Sequence, residues 1–257
     1  MRDRRRWALV MAAMTSLGGS LLPLACDSGA SFTETRSFTS TVTIGNAIRL
    51  QVDVLVPLVI VGERRDDVVV ELDLSVTASA TDVAQRALDA WTLGEGNEGG
   101  TAFVVVGPPS DGFLGGSAVV RAPRDVDLRI LQRGGTVGVA DMERGIEIDS
   151  VGAVQVAAAD DDLVIRVESG DVRADHQLRA GARVDIAVGN GNVQVDLPVP
   201  LDANVDAAST QGVTSMHRDL PSRPASIPYR ETAGGGNASV VATTTGGGVI
   251  FTERRTN

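Results

Sequence analysis

There is no lysine in this chain; all 23 of its basic residues are arginine. Chemistry that depends on an ammonium is therefore excluded, including Schiff-base formation and the phosphate-gripping lysine of a P-loop. Cysteine occurs once, at Cys26, and histidine twice, at His176 and His217. Neither an intrachain disulfide nor a structural Cys/His zinc site can be built from that set. Aromatics are scarce as well, with two Trp, one Tyr and five Phe, which leaves few platforms for sugar rings. Acidic residues outnumber basic ones by 33 to 23 for a net charge of −10. Such a surface repels phosphates and works against nucleic-acid binding. What is present is 257 residues, 43% of them hydrophobic. That is enough for a sizeable core in one large domain or two small ones, and too apolar for a wholly disordered chain.

Residues 1–25 read as an address. Arg2, Arg4, Arg5 and Arg6 precede an apolar stretch from Trp7 to Leu24, the layout of a secretory signal. Gly18, Gly19, Ser20 and Pro23 interrupt that stretch, which favours export with cleavage over a retained membrane span. Leu22-Pro23-Leu24-Ala25-Cys26 resembles a bacterial lipobox, with Pro23 as its departure from the pattern. The resemblance implies a lipidated Cys26 at the mature N-terminus and an anchor in a bacterial membrane. Ordinary signal cleavage after Ser28-Gly29-Ala30 is the competing reading and would discard the cysteine. Residues 26–41, rich in Ser and Thr, suit a flexible tether.

From Thr41 onward the dominant period is two, the signature of strands. Val68, Val70, Leu72, Leu74 and Val76 alternate with Val69, Glu71, Asp73 and Ser75. One helix is predicted over 82–93, opened by a Ser79-x-x-Asp82 capping box and closed at Gly94. Between Asp125 and Ala207 the pattern tightens into short phrases: Gly145-Ile-Glu-Ile148, Gly152-Ala-Val-Gln-Val156, Leu163-Val-Ile-Arg-Val167, Gly191-Asn-Val-Gln-Val195. Each is a strand of three to five residues, usually opened by a Gly at the corner. No phrase can bury its apolar side alone, but stacked phrases can. Glu147, Asp149, Gln155, Arg166, Glu168, Arg173, Asp185, Gln194 and Asp196 then face outward. The expectation is a single-chain, all-β β-solenoid (β-helix) of short Gly-bounded rungs over 42–257, with one short helix in its first third. A β-sandwich of short alternating strands is the rival. Pro221, Pro224 and Pro228 mark 218–236 as a surface loop. The N-terminal strands and helix are expected to cover one end of the stack. A last hairpin, turning at Gly246-Gly247-Gly248, is expected to cover the other.

The run Val120-Arg-Ala-Pro-Arg-Asp-Val-Asp-Leu128, the Gly-x-Val/Ile-x-Val/Ile phrases, Gly191-Asn-Val-Gln-Val-Asp-Leu-Pro198 and the closing Gly-rich segment resemble the bacterial "putative adhesin" domains. That family implies a β-solenoid on an exported or lipid-anchored protein, and a role in adhesion. It supplies no catalytic residues to carry over.

A search for chemistry is thin. Gly94-Glu-Gly-Asn-Glu-Gly99 matches a dinucleotide fingerprint as a string, but it is expected after a helix and before a strand, the reverse of what a pyrophosphate site needs. A Ser/His/Asp triad could draw only on His176, expected exposed at the end of a rung, or His217 in the Pro-rich loop. Asp160, Asp161 and Asp162 are the one candidate for Ca²⁺, with a solvated turn as the plainer reading. No catalytic residue and no cofactor is assigned. The reading is a non-enzymatic cell-envelope lipoprotein, membrane-attached through Cys26, that serves adhesion or scaffolding toward a protein or matrix polymer and not nucleic acid. A β-helix carbohydrate-active enzyme and an envelope-stress accessory protein are the alternatives.

Overall fold

A computed structural model of the protein describes residues 31–107, 113–223 and 228–255; the expected signal segment, Cys26 and Pro224 lie outside them. The chain opens with β1 (Phe32–Thr43), β2 (Arg49–Val54), β3 (Leu58–Glu63) and β4 (Asp67–Ala78), then helix α1 (Thr81–Asp89). There follow β5 (Thr92–Glu98), β6 (Thr101–Gly107), β7 (Phe113–Pro123), β8 (Asp127–Gln132), β9 (Val137–Ala140) and β10 (Ile146–Ser150). Next come β11 (Val154–Ala159), β12 (Leu163–Ser169), β13 (Val172–His176), β14 (Arg183–Asn190) and β15 (Val193–Leu197). The described chain closes with β16 (Ala203–Ser209), β17 (Val213–Ser215), β18 (Tyr229–Ala233), β19 (Ala238–Thr244) and β20 (Val249–Glu253).

These strands form two ten-stranded sheets, ordered β1-β4-β7-β3-β9-β11-β13-β15-β20-β17 and β18-β16-β19-β14-β12-β10-β8-β2-β6-β5. From β8 to β15 the chain passes from one sheet to the other at every step, and each strand lies parallel to the strand two before it. Hairpins of an antiparallel sandwich would instead leave consecutive strands side by side. The registers match residue for residue except at the end of β11, where a bulge shifts the pairing with β13 by one. Leu128, Ile146, Leu163, Val184 and Val240 form one row across the second sheet, and Ile130, Ile148, Ile165 and Ile186 form the next. In the first sheet Leu58, Val137, Val154, Val172, Val193 and Val249 do the same. All of these side chains are buried, and one continuous apolar cluster contains those of both sheets. The period-two pattern thus places the aliphatic side of every phrase in one shared interior.

The corners explain the glycines. A Cβ built on Gly152 would lie 1.9 Å from the carbonyl oxygen of Gly135, one on Gly191 2.1 Å from that of Gly170, and one on Gly247 1.9 Å from that of Gly191. Glycines at successive corners therefore sit one on another, close enough that only hydrogen fits between them. Close approach, more than backbone hand, selects Gly in this column.

Both ends depart from simple succession. The first strand pair, β2 and β3, lies between β6/β7 and β8/β9, and the last, β19 and β20, lies between β14/β15 and β16/β17. The expected closing hairpin is thus corrected: β19 and β20 are in different sheets, and Gly246-Gly247-Gly248 is a corner inside the stack. Their Val240 and Phe251 continue apolar rows that need a neighbour on each side. The Pro-rich loop is shorter than expected, because Tyr229–Ala233 pairs antiparallel with β16 at the end of the second sheet. The tether is corrected too. From Phe32 to Thr43 the chain is a twelve-residue strand in full antiparallel register with β4. Its Thr-rich composition carries strand propensity but little apolar alternation, so partner pairing decides it.

Helix α1 packs against β1 and β4 through buried Ala84 and Leu88. The expected capping box does not form. Ala80 is the N-cap with no side-chain bond, and Asp82 instead pairs with Arg86 one turn on, at 2.8 Å. The glycine string from Gly94 runs along β5, antiparallel to β6, and Gly99-Gly100, both at positive φ, make its two-residue turn. Among the described residues no helix is long and apolar enough to cross a membrane.

Candidate functional site

The outward positions of β8, β10, β12 and β14 form straight rows, because these parallel registers run without a shift. Charges along and between these rows pair across strands. Arg173 meets Asp196 at 3.1 Å from β13 to β15, and Arg230 meets Asp206 at 2.6 Å from β18 to β16. Outward-facing Glu147 lies 4.0 Å from both Arg129 and Arg166, on the strands either side. Opposite signs at successive levels thus offset like-charge repulsion on an acidic chain.

On the second sheet an open groove of about 660 Å³ crosses β8, β10, β12, β14 and β19. Its rows are set by register: Leu131 beside Asp149, Asp149 beside Arg166, Arg166 beside Ala187 and Ala187 beside Thr243. Its lining includes small Ala187 and Gly189 beside the longer Arg166 and Glu168. Sequence reasoning missed this groove. Nothing local marks Ala187 as a neighbour of Arg166; only the strand pairing does. A second depression, about 590 Å³, is lined by Gln177, Pro198, Val199, Arg218, Glu253, Arg254 and Arg255. In it Arg218 is bound to Glu253 at 3.0 Å.

The three aspartates at the Ca²⁺ candidate sit where β11 ends in a bulge, with Ala158 at φ 58°. Their carboxylates serve different partners. Asp160 pairs with Arg179 at 2.7 Å, Asp161 accepts the Asp162 backbone N–H, and Asp162 accepts the backbone N–H of Arg183. Among the described residues no group of three or more His, Cys, Asp or Glu is gathered as a metal ion would need.

His176 overturns the expectation of exposure. His176 is fully buried and His217 almost so. They are held alike. The Nε2–H of His176 donates to the carbonyl of Asp161 at 2.6 Å, while its Nδ1 accepts the Leu178 N–H at 2.9 Å. In His217, Nε2–H donates to Pro198 O at 3.0 Å and Nδ1 accepts the Asp219 N–H at 3.2 Å. Each is a neutral clamp that ties the end of a strand in the first sheet to a neighbouring corner. Both ring nitrogens being occupied, neither is positioned as a base for a serine. Burial pushes the His176 imidazole below its ordinary range, against the opposing pull of the Asp161 carbonyl and the Asp160, Asp161 and Asp162 charges. Asp202 plays a related part. Its carboxylate accepts backbone N–H groups of Gly235 and Asn237 and the Asn237 side-chain amide, which hold it below the usual carboxylate range and fasten the turn into β19.

No protein-family model matches the chain, and no curated protein sequence does. Among solved structures, one described as a putative cell adhesion protein from Clostridium sporogenes superposes with a TM-score of 0.52 at 13% identity, covering 86% of this chain and all of that one. A putative adhesin from Bacteroides fragilis aligns over 84% of this chain and 97% of its own at 10% identity, with a TM-score of 0.29. A putative lipid binding protein from Parabacteroides distasonis aligns over 86% and 97% at 9% identity, with a TM-score of 0.33. The likeness to the Clostridium protein is one of fold.

Proposed function

We propose that this chain is a non-enzymatic cell-envelope protein whose body is an adhesin-like β-solenoid, held to a bacterial membrane by a lipid on Cys26. Its role is to present a rigid acidic surface for adhesion or scaffolding. The observation that carries this reading is the parallel stacking of β8, β10, β12 and β14 in unbroken register. Such stacking makes every outward side chain part of a fixed linear array, suited to repeated weak contacts with a polymer or an extended protein face. The open groove and the paired charges around it suit contact more than bond cleavage. The shared fold with a protein described as a cell adhesion protein points the same way.

Two measurements test it. Mass spectrometry of the mature N-terminus should find a diacylglycerol-modified Cys26; a chain starting at Ser31 would remove the anchor. Incubation of the full chain with a panel of envelope and matrix polysaccharides should give binding without new reducing ends or unsaturated products. Product formation would replace adhesion by catalysis.

A further inference from the structure

Strand β1 occupies one end of the first sheet and pairs on one side only, with β4. Among the described residues nothing pairs with its other edge. The remaining sheet ends are guarded. β17 is three residues long, β18 is five, and β5 is broken by Gly94 and Gly96 beside Glu95 and Glu98. β1 has twelve residues and neither Gly nor Pro, so it offers about 40 Å of open backbone hydrogen-bonding groups. That is a template for another strand.

We propose that the occupant is β1 of a second copy of this chain, paired antiparallel about a two-fold axis through Thr35. The register follows from geometry and charge. Within one strand, alternate residues direct both their N–H and C=O to opposite sides. Two identical strands can therefore pair only when partner numbers share parity. Three such registers bring the charged residues of this strand near the axis. Centring on Glu34 sets it against its own copy, and centring on Arg36 does the same for arginine. Centring on Thr35 sets Glu34 opposite Arg36 twice, with Phe32 opposite Phe38 on the same face and Thr33 opposite Ser37 on the other. Phe32 is 43% exposed, and Phe38 already carries Arg36 over its ring at 5.8 Å. Aromatic and opposite-charge cross-strand pairs are the ones that stabilise an antiparallel ribbon. The product is a closed dimer with one continuous sheet across both copies. This inference stands apart from the adhesive role above.

Sedimentation equilibrium of the full chain over a concentration series tests it. The expected species is twice the 26.7 kDa protomer. Glu34→Arg and Arg36→Glu should each weaken self-association by about tenfold or more, since each creates two like-charge contacts. An equimolar mixture of the two should regain dimers, because every contact is then between opposite charges; that recovery also shows both variants to be folded. Hydrogen exchange at β1 amides should slow as the wild-type concentration rises. A protomer mass at every concentration would overturn the proposal. So would a dimer indifferent to Glu34→Arg, or a mixture that stays monomeric.

Discussion

Replacing Gly191 by alanine tests whether the corner glycines are a packing requirement. The added Cβ would lie 2.1 Å from the carbonyl oxygen of Gly170 and 2.6 Å from its carbon, where ordinary contact begins at 3.4 Å. The obstacle is backbone, and that backbone is held: Gly170 N–H donates to Asn190 O at 2.7 Å and Val172 N–H to Asn192 O at 2.8 Å. Relief needs the two levels to part by more than an ångström, against hydrogen bonds on both sides of the corner. Overpacking of this kind costs about 1–3 kcal/mol. Gly191 also sits at φ +149°, a backbone region that costs a side chain about 1–3 kcal/mol more. The sum, roughly 2–6 kcal/mol, should lower Tm by on the order of 10 °C for a chain of this size. Urea unfolding of the full chain measures it. Gly181 supplies the control, with φ +86° and no atom within 4 Å of a built Cβ, so Gly181→Ala should cost only about 1 kcal/mol from backbone strain. If Gly191→Ala costs no more than Gly181→Ala, the glycine column is not a packing device.

Three further outcomes follow from the same structure. Ile148 is fully buried between Ile130 and Ile165, and its neighbours are fixed by strand pairing, so Ile148→Ala should cost about 3–5 kcal/mol in urea unfolding. Glu147→Ala, one residue away and facing outward, should stay within about 0.5 kcal/mol. Since burial depresses the His176 imidazole, the unfolded state binds its proton more readily. The stability this contributes is full above the ordinary value of 6.5 and is lost as pH falls below it. Unfolding measured from pH 7 toward 5 should therefore slope less in His176→Gln than in the wild type; equal slopes would refute the clamp as the source. Tyr229 is the chain's single tyrosine, and burial with the nearby Glu231 pushes its phenol up to about 12. Ultraviolet titration of the folded protein should show no tyrosinate at pH 10.5, and stability should decline as pH rises from the unfolded value toward 12. Normal ionisation near 10 in a still-folded chain would contradict the burial.

Much of the core was legible in the sequence, because alternation is a local property. The phrases around Ile148, Val156, Ile165 and Val195 each carry their inward and outward faces within five residues. The existence of helix α1 was legible in the same way, but neither its cap nor its end was: it stops at Asp89, short of the expected 93, because Thr92 and Leu93 already pair in β5. Where reading stopped, the deciding partner lay far along the chain. β1 looked like a tether because its strand character comes from twelve registers with β4, 24 to 46 residues on. His176 looked exposed because the carbonyl that receives its proton belongs to Asp161, on a different corner. The groove could not be read at all, since its rows join residues 17 to 56 apart in sequence through strand pairing alone.

Taken by itself, the amino-acid sequence determined that the strands from β8 to β15 are short, that each has one aliphatic side, and that neither a lysine nor an intrachain disulfide is available. Only the tertiary structure decided the order of stacking, with the first and last strand pairs slipped inside their neighbours and one long edge left unpaired among the described residues. Side-chain pattern is written into each segment, whereas the choice of neighbour depends on which surfaces remain to be covered once the rest of the chain has packed.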